Sequence, residues 1–110
     1  MALQIIVILH PNPNARSYSL NHAGQKMSGS SAVRTFNPPF KVLGQSWYEI
    51  GVPGRAMLAR IFRELGDSIS LILLRPKELL LVKKESADWD MIDPCVVNAI
   101  KRAFDPKAKD

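Results

Sequence analysis

The chain of 110 residues is poor in the residues that build disulfide scaffolds and metal sites. Its one cysteine cannot form an internal disulfide, and it cannot by itself supply the thiolates of a zinc ribbon. Apolar residues make up 46% of the chain, which is enough for a hydrophobic core. We therefore expect one domain, spanning residues 1–110, that folds without a structural metal.

Long hydrophobic runs are also lacking. The apolar run that opens the chain, Leu3–Leu9, is much shorter than the ~20 residues that cross a bilayer. No basic residue precedes it and no small-x-small cleavage site follows it, so it does not have the pattern of a signal peptide. We expect a cytoplasmic protein without membrane contact, in which Leu3–Leu9 is a strand that is apolar on both faces and central in its sheet.

Acidic residues are scarce in the first part of the chain. Residues 1–63 hold seven Lys and Arg against Glu49 alone, so all of the net charge of +5 arises in this part. A basic surface of this kind attracts acidic proteins or nucleic acid by long-range steering, although it can also be a merely solvated face. The cations that could form one basic face are Arg16, Lys26, Arg34, Lys41, Arg55, Arg60 and Arg63.

The first half of the chain predicts a hairpin followed by a long loop. In His10-Pro11-Asn12-Pro13-Asn14 the prolines remove backbone donors and the asparagines tolerate turn geometry, so a second strand should return at Arg16–Leu20. Residues 21–52 are interrupted by Gly, Ser and Pro and predict an irregular loop region. Within it we expect a weak edge strand near Val33–Phe36 and an extended piece near Phe40–Leu43.

The second half predicts a helix, a hairpin and a second helix. The first helix should begin at Pro53 and end at Gly66, and its cationic side chains should lie on or beside the outer face. Its apolar residues recur at i, i+3 and i+4. They are Met57, Leu58, Ile61, Phe62 and Leu65.

The hairpin and the last helix follow directly. Ile69–Leu74 and Leu79–Lys84 flank the tight turn Arg75-Pro76-Lys77-Glu78. Asp88 is the predicted N-cap of the second helix, which Pro94 should bend or divide. The order β-β-(β)-α-β-β-α predicts an α+β fold, with a small antiparallel or mixed sheet and two helices packed on one face.

Residue constellations typical of catalysis are missing from the sequence. His10 and His22 have no evident carboxylate partner, the serines cluster in Ser28-Gly29-Ser30-Ser31, and no glycine-rich phosphate loop occurs. We therefore expect no enzyme and no cofactor bound by this chain alone. A helix beginning at Pro94 would place Cys95 in its first turn, where the thiol is either activated by the helix dipole or simply a small buried hydrophobe.

Four segments occur in a set order: the turn Pro11–Asn14, the helix Ala56–Phe62 after Pro53, the segment Arg75–Lys84, and the helix start Ala87-Asp88-Trp89. In order and spacing, over most of the chain, they resemble the N-terminal domain of the Nfu/NifU-like iron–sulfur cluster scaffold proteins. Members of that family that carry a cluster hold it on a Cys-x-x-Cys pair in a separate C-terminal domain, and this sequence has no such pair. The resemblance implies the α+β fold and a non-enzymatic accessory or scaffold role in iron–sulfur cluster assembly or delivery.

The resemblance also implies that partner proteins of cluster assembly, or cluster targets, bind this chain. No metal ligand is expected, unless a cluster bridges two chains through Cys95. Two alternatives stay open: a basic nucleic-acid-binding module that stacks bases on Tyr18, Trp47 and Tyr48, and a ligand-sensing domain. The residues predicted to contact partners are Pro11, Asn12, Pro13, Asn14, Arg55, Arg60 and Arg63.

Overall fold

A computed structural model describes residues 4–20, 26–29, 31–40 and 45–104. In this part of the chain it contains five strands and three α-helices, with one turn of 3-10 helix after the second α-helix. The element bounds are β1 Ile5–Leu9, β2 Ala15–Leu20, β3 Arg34–Phe36, α1 Gln45–Glu49, α2 Val52–Leu65, β4 Ile69–Leu74, β5 Glu78–Lys83 and α3 Trp89–Phe104.

The five strands form one open sheet in the order β1-β2-β5-β4-β3, and every neighbouring pair is antiparallel. Tyr18 of β2 lies between Val7 of β1 and Leu79 of β5, so the centre of the sheet joins the two hairpins. The predicted α+β fold is confirmed. The weak edge strand expected near Val33–Phe36 is β3, at one edge of the sheet.

One face of the sheet is covered by α2 and α3, which pack against each other and share one hydrophobic core with the strands. The apolar stripe predicted for α2 is buried, except that Phe62 is half-buried. The core residues that α3 supplies are Ile92, Val96, Ala99, Ile100 and Phe104.

The helix ends follow from local chemistry, with two corrections. Pro53 lies in the first turn of α2 as predicted, after Gly51, whose φ of 93° only glycine adopts without strain. Gly66 ends α2 but stays right-handed, with φ −53°, and leads into the 3-10 turn rather than a left-handed cap.

Asp88 caps α3 through its Oδ1, which accepts a hydrogen bond of 2.9 Å from the N–H of Asp90. Pro94 lies inside α3 and does not divide it, so the prediction of a separate short first turn was wrong.

The position of β1 also differs from expectation. We predicted a central strand, but β1 lies at the edge of the sheet and pairs only with β2 among the described strands. Its two-sided apolar pattern therefore does not reflect burial on both faces.

Residues 21–52, expected to be an irregular loop, contain a helix as well as β3. Helix α1 was not predicted because it is only five residues long and lies in a segment where glycine and proline interrupt any period. Residues 41–43 of the predicted extended piece lie outside the described residues.

Candidate partner-binding surface

The turn Pro11–Asn14 joins β1 to β2 and has the geometry that its asparagines favour. The side-chain Oδ1 of Asn12 accepts a hydrogen bond of 2.9 Å from the N–H of Asn14. The carbonyl of Asn12 accepts a second bond of 3.1 Å from the N–H of Ala15, where β2 begins. Pro11, Asn12 and Pro13 are exposed, so the turn presents its prolines to solvent.

Two elements distant in sequence hold this turn in place. The indole Nε1 of Trp89, at the start of α3, donates a hydrogen bond of 2.8 Å to the carbonyl of Pro13. Lys83, at the end of β5, donates its backbone N–H to the carbonyl of Asn14 at 2.8 Å and its Nζ to Asn14 Oδ1 at 3.0 Å. The turn is therefore anchored to both layers of the fold.

Trp89 is also the centre of a cluster of charged groups. The guanidinium of Arg16 lies 4.6 Å from the centre of the indole ring, and Lys83 Nζ lies 6.0 Å from it, both within the range of cation–π attraction. Arg16 Nη1 is in turn 3.2 Å from Asp93 Oδ1. A shallow pocket of about 300 Å³ opens beside this cluster, lined by Leu9, His10, Pro13, Ala15, Arg16 and Trp89.

Tyr18 extends the cluster into the core. Its hydroxyl donates a hydrogen bond of 2.5 Å to Asp93 Oδ1, while its ring is fully buried. Burial, followed by the hydrogen bond to the Asp93 carboxylate, raises the pKa of the Tyr18 phenol above its ordinary value. Tyr18 is thus a neutral donor that links the sheet to α3, and it is not available for stacking with a base.

Trp47 and Tyr48, the other two residues considered for stacking with bases, differ from each other in exposure. Trp47 is half-buried and packs edge-on against Phe36, whereas Tyr48 is 68% exposed. The three rings therefore do not form one exposed platform.

The three arginines predicted on α2 have different surroundings. Arg55 lies over the ring of Tyr48, with 5.1 Å between the guanidinium carbon and the ring centre. Arg60 forms an ion pair with Glu64 one turn later, at 2.9 Å. Arg63 is exposed and forms no ion pair with another described residue.

A cleft of about 540 Å³ lies beside Arg63. One wall is the pair of stacked rings of Phe40 and Phe62, whose centres are 4.7 Å apart. Lys84 and Asp67 also line the cleft. Arg63 thus combines a free positive charge with an apolar recess.

The residues predicted to contact partners lie at two different ends of the sheet. The turn Pro11–Asn14, the ends of β5 and α2 and the start of α3 all lie at one end of the sheet, which we call the turn end. Arg63, in the last turn of α2, belongs to this end. Arg55 belongs to the opposite end, beside the β4–β5 turn, so the structure does not bring all seven predicted residues into one patch.

The opposite end, which we call the basic end, has most of the Lys and Arg side chains of the described residues. Among the described residues its acids are Glu49, which is paired with Arg34, and Glu78. The turn end instead contains the acidic residues of the last turn of α2, the β5–α3 connection and the first turns of α3. The cations of the basic end are Lys26, Arg34, Arg55, Arg75, Lys77, Lys101 and Arg102.

The described histidine and cysteine do not belong to a cluster of metal-binding side chains. His10 Nε2 is 2.7 Å from Ser17 Oγ, and His22 is outside the described residues. Cys95 is half-buried in the second turn of α3 and packs against the core, so the predicted place in the first turn was wrong. In the part of the chain that is described, no three His, Cys, Asp or Glu side chains come together as a metal site requires.

Sequence reasoning missed Lys83 as part of this surface. Its side chain is only 9% exposed, and it also donates from Nζ to the carbonyls of Lys84 and Glu85 at 3.3 and 3.4 Å. Strand alternation was the available signal, since Lys83 shares its face with Leu79 and Leu81 and must therefore point towards the helices.

The sheet and the helices packed on it make this chain a two-layer α+β protein with an open antiparallel sheet. No protein-family model matches the chain, and no curated protein does so. The solved structures that match it in fold include two of low sequence identity. A NifU-like protein from Saccharomyces cerevisiae is 14% identical, with a TM-score of 0.70 over 92% of this chain and 77% of that one. Protein SAV1430 from Staphylococcus aureus is 16% identical, with a TM-score of 0.60 over 90% of this chain and 98% of that one.

These likenesses show the fold, because both identities are low. The predicted relation to NifU-like proteins is supported at the level of the fold, and the specific N-terminal Nfu domain stays a prediction. Within the described ranges, no helix is both long enough and apolar enough to cross a membrane.

Proposed function

We propose that this chain is a non-enzymatic accessory protein of iron–sulfur cluster assembly or delivery that acts by binding other proteins. The observation that carries the proposal is its fold likeness to a NifU-like protein over 92% of the chain, with a TM-score of 0.70. In this proposal the cluster is cargo that a partner protein carries. The part of this chain that is described has no group of residues suited to hold it.

Partner binding is proposed to use the exposed turn Pro11–Asn14 and the arginines of α2. The turn is held by hydrogen bonds to Trp89 and Lys83, so little conformational entropy is lost when a partner binds it. Arg63 adds a cation beside an apolar recess, and Arg55 lies among the cations of the basic end. Such a surface favours a partner with acidic groups around an apolar anchor.

The test is an anaerobic pull-down from host lysate, carried out with and without nuclease treatment. Partners are identified by mass spectrometry, and iron and sulfide are assayed on the bait and on the eluted proteins. We expect cluster-assembly or cluster-target proteins in the eluate and no iron on the purified chain. Iron and sulfide on the chain itself would contradict the accessory role and make Cys95 a bridging ligand. Ribosomal or RNA-binding proteins that disappear on nuclease treatment would favour the nucleic-acid alternative.

Variants of α2 test the contact surface separately. Arg63→Glu reverses an exposed charge at the turn end, and Arg55→Glu reverses a half-buried charge at the basic end. Arg63→Lys and Arg55→Lys keep each charge as matched controls. We expect each Glu variant to weaken capture of the partner and each Lys variant to retain most of it. Unchanged capture by both Glu variants would remove α2 from the proposed surface.

A further inference from the structure

Strand β1 is an unusual edge. Its residues Ile5-Ile6-Val7-Ile8-Leu9 are all apolar, and four of them are well exposed: Ile6 at 47%, Val7 at 39%, Ile8 at 43% and Leu9 at 68%. One side of the strand is paired with β2, and no described strand lies on its other side. The outer side therefore has no strand partner within the described residues, and it presents apolar side chains to solvent.

Natural proteins usually protect such an edge with charged residues, proline or a bulge. β1 has none of these features. Its pairing with β2 is regular over all five residues, and the first charged side chain of the sequence is Arg16, on β2. An edge this apolar and this regular favours the addition of another strand.

We infer that β1 is the interface of a symmetric homodimer, in which two copies of this chain join their sheets by antiparallel pairing of β1 with β1. A two-fold axis at Val7 places Val7 opposite the partner's Val7, Ile6 opposite the partner's Ile8, and Ile5 opposite the partner's Leu9. The result is one continuous antiparallel sheet, with the helices of both copies on the same side.

The sequence of β1 indicates that the strand added to its outer edge is β1 of a second copy of this chain. The strand is close to a palindrome in side-chain size, so the two-fold arrangement pairs similar aliphatic groups along its length. The net charge of +5 would disfavour close contact of two copies elsewhere, but the segment from Gln4 to Asn14 has no charged side chain. An acidic partner would be attracted to the cations of the basic end rather than to this strand, which has no charged side chain.

The face of the sheet that has no helices adds apolar side chains to the proposed dimer interface. Val7 pairs with Tyr18, whose hydroxyl binds α3, so Val7 points to the helix side and Ile6 and Ile8 point to the open side. On that open side the adjacent strand β2 presents Ala15, Ser17 and Ser19, and the half-buried Leu80 and Val82 of β5 lie beyond it. In the dimer, Ile6 and Ile8 of the two copies would form one apolar patch in the middle of the shared sheet.

The test measures mass in solution by sedimentation velocity and light scattering from nanomolar to high micromolar concentration. We expect the unmodified chain to shift from one-copy to two-copy mass in this range. Val7→Lys places two like charges opposite each other and should raise the dissociation constant of the dimer by about ten-fold or more. Val7→Asp should do the same, and mixing the two variants should restore a two-copy species, because Lys then lies opposite Asp.

Val33→Lys is the matched control, since Val33 is as exposed as Ile6 but lies outside the strands; it should leave the dimer intact. Circular dichroism and urea unfolding of each variant establish that it is folded. A one-copy mass for the unmodified chain at every concentration would overturn the proposal. So would a Val7→Lys variant that dimerises as tightly as the unmodified chain, open-ended assemblies in place of dimers, or a mixture of the two charged variants that associates no more tightly than either variant alone.

Discussion

Tyr18 links the two layers of the fold through a hydroxyl that must stay protonated to donate its hydrogen bond. Because burial and the Asp93 carboxylate raise the pKa of this phenol in the folded chain, its contribution to stability is complete below the unfolded pKa of about 10. Above that pH only the unfolded chain loses the proton, so the free energy of unfolding falls by about 1.4 kcal/mol per pH unit from this group.

The variant Tyr18→Phe should remove this part of the alkaline loss of stability. Urea unfolding between pH 8 and about pH 11 measures it as the difference in slope from the unmodified chain. Lysine titration affects both proteins equally, and Tyr48→Phe, which removes an exposed phenol, is the control that should keep the slope. An identical slope for Tyr18→Phe and the unmodified chain would mean that Tyr18 ionises as readily when folded as when unfolded.

Single residues of the candidate surface were predictable to different degrees. The exposed turn Pro11–Asn14 could be predicted because proline and asparagine have strong local backbone preferences. The role of Lys83 could not, because its partner Asn14 is 69 positions away and only the pairing of β2 with β5 brings them together.

At the scale of elements, the first turn of α2 lies against a neighbouring segment and requires glycine there. A Cβ at Gly54 would collide with the carbonyl oxygen of Met27 and with Cγ2 of Ile50. Although alanine is favoured over glycine in a helix by ~1 kcal/mol, Gly54→Ala should destabilise the chain by about 1–3 kcal/mol, because a backbone oxygen cannot easily move away.

Gly66→Ala is the paired substitution at the other end of α2. Gly66 is right-handed and the nearest side-chain atom, Cδ2 of Phe40, would be 4.0 Å from the new Cβ. We expect an unchanged or slightly higher free energy of unfolding, by up to ~1 kcal/mol. Urea unfolding followed by tryptophan fluorescence measures both variants, and a Gly54→Ala chain as stable as Gly66→Ala would show that α2 does not pack closely here.

The elements themselves were largely predictable, and their arrangement was less so. Periodicity identified α2, α3, β4 and β5 because each is long and bounded by a turn or capping residue. The edge position of β1 was not predictable from its own pattern, since an apolar strand has the same alternation at the edge and in the centre of a sheet. Strand order depends on pairings between distant segments, here β2 with β5.

At the scale of the whole molecule, the fold converts a charge difference along the sequence into a charge difference between two ends. The excess of cations in residues 1–63 suggested a single basic face, but Arg16 is paired with Asp93 at the turn end, while Arg75, Lys77 and Lys101 of the second half join the basic end. The net charge follows from the sequence alone. The location of the charged residues could be found only once the strand order and the directions of the helices were known.

This asymmetry predicts that two substitutions with the same change in net charge have different effects. Lys77→Glu, in the β4–β5 turn, removes charge from the basic end. Lys84→Glu removes charge from the turn end, which also contains most of the acidic residues of the described chain, and both lysines are exposed. Because a cation-exchange resin binds the most positive part of a surface, Lys77→Glu should elute at clearly lower salt than Lys84→Glu. Equal elution of the two variants would mean that net charge alone governs binding to the resin, and steering of an acidic partner towards the basic end would lose its physical basis.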